Sequence, residues 1–209
     1  MKKIIIALVL TSSLGACKKN TTPATVETDF LPLTTGNNWT YQIAGANSFT
    51  LTITNKDTLI NGRNYKVATN SAGSNVYQIK TGTDYYRYSA MPGLAPNGIE
   101  ELYLKEGLVN GAWSNTVLVN IPGSGNINVT LKYTIAETGI SKTVFGKLYT
   151  DVIHVKLDVS TTIIINLNLG SGDFYYAKGV GMINSFVTMS APGQPTTTQQ
   201  TDLVSYQLK

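Results

Sequence analysis

From residue 127 to residue 135 the chain alternates strictly: Ile127, Val129, Leu131, Tyr133 and Ile135 are apolar, and Asn128, Thr130, Lys132 and Thr134 between them are polar. A repeat of two puts successive side chains on opposite faces, so this stretch buries one face as a strand and could not do so as a helix of period 3.6. A second run repeats the pattern, with Ile153, Val155, Leu157 and Val159 set between His154, Lys156 and Asp158. Shorter alternations cover Trp39, Tyr41 and Ile43, and Phe49, Leu51 and Ile53, the latter interleaved with threonines. Turn residues separate the runs. Asn61-Gly62 suits a tight hairpin that needs positive φ at both central positions, and Gly73, Gly82, Gly125, Gly139 and Gly170 punctuate in the same way. Apolar spacings of three and four with capping signals are nearly absent, which argues against long helices. The fold class is therefore all-β: an antiparallel sandwich, an open barrel or a strongly curved sheet. Residues 91–98, with Pro92, Pro96 and two glycines, read as a loop, and residues 105–115 as a second one.

The N-terminus obeys different rules. Lys2 and Lys3 precede an apolar run over residues 4–10, and Leu14-Gly15-Ala16 leads to Cys17, the sole cysteine. The run falls well short of the about 20 residues a spanning helix needs, so it reads as a removable export signal. The Leu-Gly-Ala-Cys stretch resembles the lipobox of bacterial lipoproteins. That resemblance implies cleavage after residue 16 and acylation of Cys17 with chains such as palmitate. Two or more such chains give lasting attachment, at about 0.8 kcal/mol per buried methylene. It further implies an outer-membrane location, since Lys18 stands where Asp would favour retention at the inner membrane. The periplasmic face is expected, because Lys18-Lys19-Asn20 is not the acidic run of surface-exported lipoproteins of the Bacteroidota kind. Residues 20–28 are Thr-rich and almost without apolar residues, the composition of a tether. The expected organisation is thus a signal peptide over 1–16, a lipidated cysteine and tether over 17–28, and one β-rich domain over 29–209.

Charge adds little. Cleavage would remove Lys2 and Lys3 and lower the formal charge from +4 to +2, with the remaining basic residues scattered along the chain. A nucleic-acid partner calls for clustered Lys and Arg, so none is expected.

Three further segments carry a second resemblance: Phe30-Leu-Pro-Leu-Thr-Thr-Gly-Asn-Asn-Trp-Thr-Tyr41, Asn61-Gly-Arg-Asn-Tyr65 and Tyr176-Ala-Lys-Gly-Val-Gly-Met-Ile183. Together they resemble a broad set of bacterial lipoproteins of the Bacteroidota type that open with a "PL..G..W.Y" strand and close with an "A.GVG" turn. The resemblance implies kinship of fold and brings no activity. Physically, Pro32 and Gly36 would turn the tether into the first strand, and Trp39 would bury its ring. Gly179 and Gly181 around Val180 suit a bulge or a close backbone approach.

Catalytic chemistry finds few candidates. His154, the only histidine, falls on the polar face of its strand, where a surface role is expected. Without a second histidine or a free thiol, zinc would have to accept carboxylates alone. No nucleophile elbow surrounds any serine. Glu100 and Glu101 are adjacent, so a strand would point them to opposite faces, and with Glu106 they read as a solvated edge. No catalytic residue, cofactor or metal is expected. The aromatic cluster Tyr85, Tyr86 and Tyr88 around Arg87, with Trp113 nearby, is the candidate ligand-binding group. Tyr85 and Arg87 share one face; Tyr86 and Tyr88 share the other. Asp57-Thr58-Leu59 is similar to the O-glycosylation site of Bacteroidota envelope proteins, which would modify Thr58.

These observations lead to a non-catalytic envelope lipoprotein with a binding or accessory role, anchored to the membrane through Cys17. Another envelope protein, a lipid or a glycan are the candidate partners. Two sharper versions stay open. One is a carrier of lipid or another apolar ligand in a half-open barrel, to which Ile163, Ile164 and Ile165 would add apolar surface. The other is a glycan-binding module built on the tyrosines and Trp113.

Overall fold

The computed structural model describes residues 28–209 apart from 92–94, 122–124, 163–165 and 191–194. The expected lipidation site Cys17, the signal, most of the tether and Ile163–Ile165 lie outside the described residues. The rest is strand and turn. Twelve strands run β1 (Asn38–Ile43), β2 (Ser48–Ile60), β3 (Arg63–Asn70), β4 (Val76–Thr81), β5 (Asp84–Met91), β6 (Ala95–Lys105), β7 (Ala112–Ile121), β8 (Gly125–Val144), β9 (Lys147–Thr162), β10 (Asn166–Ala177), β11 (Gly181–Met189) and β12 (Thr197–Gln207). All pair antiparallel in one sheet, ordered β6-β5-β4-β3-β2-β1-β12-β11-β10-β9-β8-β7. The fold is all-β, and of the three expected forms it is the barrel, closed except for one seam between β6 and β7.

The two strongest alternations form the paired strands β8 and β9, in register Leu131↔Val159, Lys132↔Asp158 and Tyr133↔Leu157. The inward aliphatic and aromatic positions are buried, or half-buried at Ile127 and Leu131, while Lys132, Lys156 and Asp158 on the outer face are exposed. A membrane-spanning barrel has the reverse pattern, apolar outside and polar within. On β8 and β9 this barrel has the opposite arrangement, charged outside and apolar within. Asn61-Gly62 makes the expected hairpin, with φ of 50° and 77°.

Much of the region expected to be a loop at 91–98 is strand instead: Met91 ends β5, and Ala95 already stands opposite it in β6. Proline argues for a loop, yet residue 96 falls in β6, an edge strand, the position in a sheet where proline is tolerated. The expected loop at 105–115 shrinks to a turn, since β7 begins at Ala112.

Residues 29–37 close one end of the barrel. Phe30, Leu31 and Pro32 are buried there, and the backbone of Asp29 accepts a hydrogen bond from Gly179 N at 2.8 Å. Asn37 is fully buried; its Nδ2 donates to Pro32 O at 3.1 Å and its Oδ1 accepts from Lys209 N at 2.9 Å. Lys80 bridges Asp29 and Glu106, tying this segment to β4 and the β6 turn. The N- and C-terminal ends of the described chain therefore meet at the closed end. The paired strand ends Met91 and Ala95, Ile121 and Gly125, Thr162 and Asn166, and Met189 and Thr197 lie at the opposite end.

Candidate functional site

The interior is hollow. A cavity of about 1050 Å³ runs from Phe30 and Leu31 at the closed end to Met189, Ser190 and Pro195 at the other. This reaches the upper end of the ~300–1,000 Å³ usual for small-molecule sites. Its wall follows from strand parity. Val117 on β7, Val129 and Leu131 on β8, Leu157 and Val159 on β9 and Phe174 on β10 all point inward because each lies two residues from the next inward position on its strand. Leu51, Val76 and Met182 add to the apolar lining elsewhere around the barrel.

One charged pair interrupts this surface. Arg87 on β5 and Glu101 on β6 stand directly opposite in the ladder. Arg87 Nη2 donates to Glu101 Oε2 at 2.7 Å and Nε to the same oxygen at 3.1 Å. The other carboxylate oxygen accepts the hydroxyl of Tyr133 from across the seam. The guanidinium also lies 5.6 Å from the centre of the Tyr103 ring. The negative charge of Glu101 holds Arg87 above its usual range, so it stays protonated. Burial raises the hydroxyls of Tyr103 and Tyr176 beside it, leaving them neutral. The expectation of a solvated acidic edge fails at Glu101, which is only 8% exposed. Its parity follows Tyr103, and that face is the inside of the barrel. Glu100 faces outward, bonded to Tyr65 and to Arg63 at 2.8 Å.

The five candidate ligand residues are not gathered into one platform. Tyr85 and Arg87 point inward, as alternation requires; Tyr85 is fully buried, with its hydroxyl bonded to Glu106 at 2.8 Å. Tyr86 and Tyr88 lie half-buried on the other face, Tyr86 under Arg63 and Tyr88 edge-on to Tyr77. Trp113 stacks on Tyr133 at 5.4 Å and donates to Leu102 O at 2.6 Å, so it closes the seam from within. Only Arg87 among the five lines the cavity. Thr58 pairs with Tyr65 in the β2–β3 hairpin and is half-buried, two residues from the turn after Ile60.

A second, polar hollow of about 520 Å³ lies on the outer face, where the tip of the β8–β9 hairpin packs against β10–β12. His154 is at its floor. It is on the outer face, as alternation requires, but is only 6% exposed, contrary to the expected surface position. Tyr175 stacks on it at 4.3 Å, Lys142 Nζ covers that ring at 3.6 Å, and the bend in β8 brings Glu137 over it. Nδ1 lies 3.0 Å from Glu137 and Nε2 2.7 Å from Asp173. Both ring nitrogens are taken by carboxylates, and among the described residues no serine bonds to His154. A nucleophile would have no base to share. Among the described residues no group of three or more His, Cys, Asp or Glu is placed to hold a metal ion.

The sequence points to Arg87 and, as one alternative, to a half-open apolar barrel, but not to Glu101 as part of the lining. The signal for Glu101 was present: it stands two residues before Tyr103 on one strand face.

No family model matches the chain, and no curated protein matches it. Solved structures do. A crystal structure of a "putative lipoprotein" from Parabacteroides distasonis is 14% identical, with a TM-score of 0.52 over 86% of this chain and 99% of that one. A "putative exported protein with YmcC-like fold" from Bacteroides fragilis gives 0.45 at 10% identity, over 86% and 99%. The "hypothetical lipoprotein YmcC" from Escherichia coli gives 0.43 at 9% identity, over 84% and 85%. The Parabacteroides likeness shows a shared fold across nearly the whole described barrel.

Proposed function

We propose that this chain is a non-catalytic bacterial envelope lipoprotein, held at the periplasmic face of the outer membrane by acylated Cys17, whose barrel binds an apolar ligand. One observation carries the reading: an interior left open over about 1050 Å³ and walled mainly by aliphatic and aromatic side chains. A barrel of about eight strands can fill its interior with side chains, whereas this one of twelve leaves its interior open. Bare apolar wall is a cost unless something covers it, at about 25 cal/mol for each Å² removed from water. The Leu-Gly-Ala-Cys motif supports the anchor, and the Parabacteroides chain of shared fold is itself described as a "putative lipoprotein".

The test uses the full chain carrying Cys17→Ser, which leaves the cavity intact without its own acyl groups. Titration with the neutral fluorophore N-phenylnaphthylamine is expected to show saturable uptake at one site per chain. Val159→Phe projects a ring into the cavity and should weaken that uptake about tenfold or more. Uptake that never saturates, or that Val159→Phe leaves unchanged in a folded protein, would overturn the reading.

A further inference from the structure

The lining of the cavity is uneven, and its unevenness specifies a ligand class. Arg87 and Glu101 are its only charged lining residues among those described, and they neutralise one another. The remaining polar lining, Gln78, Ser89, Ser185, Gln199 and Thr201 among it, is uncharged. Glu101 is saturated: one oxygen takes two Arg87 donors, the other takes Tyr133, and its side chain is 10% exposed. Arg87 is not. Its side chain is 32% exposed, and with Nε and Nη2 engaged the Nη1 amino group has no hydrogen-bond partner among the described residues. The site therefore offers donors and no free acceptor carboxylate, beside an aliphatic wall formed by Val117, Val129, Leu131 and Val159.

An incoming carboxylate or phosphate would meet Arg87 with the Glu101 charge already against it. Apolar walls weaken screening, so that like charge would be felt strongly. A neutral acceptor escapes this penalty while still taking a charge-assisted hydrogen bond. A plain hydrocarbon escapes it too but leaves the Nη1 donors unsatisfied. On the reading that the cavity binds an apolar ligand, we propose that its ligand is an uncharged acyl ester, the ester carbonyl accepting from Arg87 Nη1 and the alkyl chain lying along the β7–β9 wall.

Three competitors of equal chain length test this at pH 8: methyl dodecanoate, dodecanoate and dodecane. Each displaces N-phenylnaphthylamine from the Cys17→Ser chain. The ester is expected to bind about tenfold more tightly than dodecane, the gain from one hydrogen bond to a charged donor, and more tightly than the ionised acid. The paired variant Arg87→Met/Glu101→Met leaves no unpaired charge and should erase the ester's advantage over dodecane while keeping dodecane affinity. Preference for dodecanoate, preference for the anionic diester didodecanoyl phosphatidylglycerol over monododecanoylglycerol, or an ester advantage that survives the paired variant would each overturn the inference. In those cases the cavity itself would still take up ligand; loss of all saturable uptake would instead sink the broader reading. If the paired variant does not fold, the guanidinium ¹⁵N signals of the unsubstituted Arg87 decide. They should shift with methyl dodecanoate and not with dodecane, and equal shifts would count against the proposal.

Discussion

Trp39 Nε1 donates to the carbonyl of Val180 at 2.7 Å, a contact between residues 141 positions apart. The hydroxyl of Tyr41 reaches Met182 O over the same separation. The opening "W.Y" and closing "GVG" segments are thus two halves of one joint, with Gly181 at φ +107° holding its backbone against the indole and Phe30 O. Replacing Trp39 with Phe keeps most of the apolar burial but strands the Val180 carbonyl. The expected loss is about 1–3 kcal/mol, the cost of an unsatisfied buried group, measured as a lower urea midpoint with an unchanged slope. Gly181→Ala should cost about 1–2 kcal/mol, because positive φ penalises any Cβ. The sequence makes the inward ring of Trp39 legible through alternation, and the Gly-x-Gly pair through its spacing. That the two touch is not legible, since nothing local records a partner so distant. Glu101 fails to read correctly for another reason: three nearby carboxylates look like a wet edge until the partner strand supplies Arg87.

At the seam the two edge strands share no ladder, and side chains substitute for one. Asn115 Nδ2 donates to Leu102 O at 3.1 Å and its Oδ1 accepts from Leu102 N at 3.4 Å, so one amide imitates a backbone partner for a residue of β6. Trp113 adds a second donor to the same carbonyl. This stitching satisfies an edge that would otherwise invite pairing with another chain. Asn115→Ala is expected to speed hydrogen exchange at the Leu102 amide by at least tenfold and to lower stability by about 1–3 kcal/mol. Unchanged exchange at Leu102 would show that the Asn115 side chain does not protect that amide. Strands β8 and β9 were legible because one face is buried along their length and the period is unbroken. The bend in β8 was not. Register shifts between Ile135 and Lys142 are set by the hairpin tip packing on β10–β12, where Lys142 covers Tyr175 and Lys147 covers Tyr206. That tertiary demand is also what buries His154, which alternation alone leaves at the surface.

For the molecule as a whole, alternation specifies an inside and an outside but not whether the inside is filled. A packed sandwich and a hollow barrel write the same period, because hollowness depends on strand number and closure. Asp29 and Lys209 both lie at the closed end, so on the proposed anchoring through Cys17 that end is the one joined to the lipidated segment. Fractionation tests the anchor: the native chain should sediment with outer membrane and incorporate labelled palmitate, and Cys17→Ser should do neither. Residence of the variant in the same membrane fraction would refute attachment through this residue. Tyrosine burial gives a last global property. Tyr41, Tyr103 and Tyr176 are raised by burial, and burial pushes Tyr85 up to about 12 from an ordinary 10.0. In the unfolded chain these phenols lose their protons near pH 10, while the folded protein keeps them. The stabilisation is complete below pH 10 and is lost as the pH climbs towards 12, by up to about 1.4 kcal/mol per pH unit for each tyrosine. Unfolding free energy from urea titrations should therefore be flat from pH 8 to 9.5 and fall steeply above it. Tyrosinate absorbance should rise together with loss of the near-ultraviolet dichroism. Ionisation of all twelve tyrosines at pH 10 with that dichroism intact would show that the phenols are open to water, and that the barrel wall beside the cavity is looser than its packing indicates.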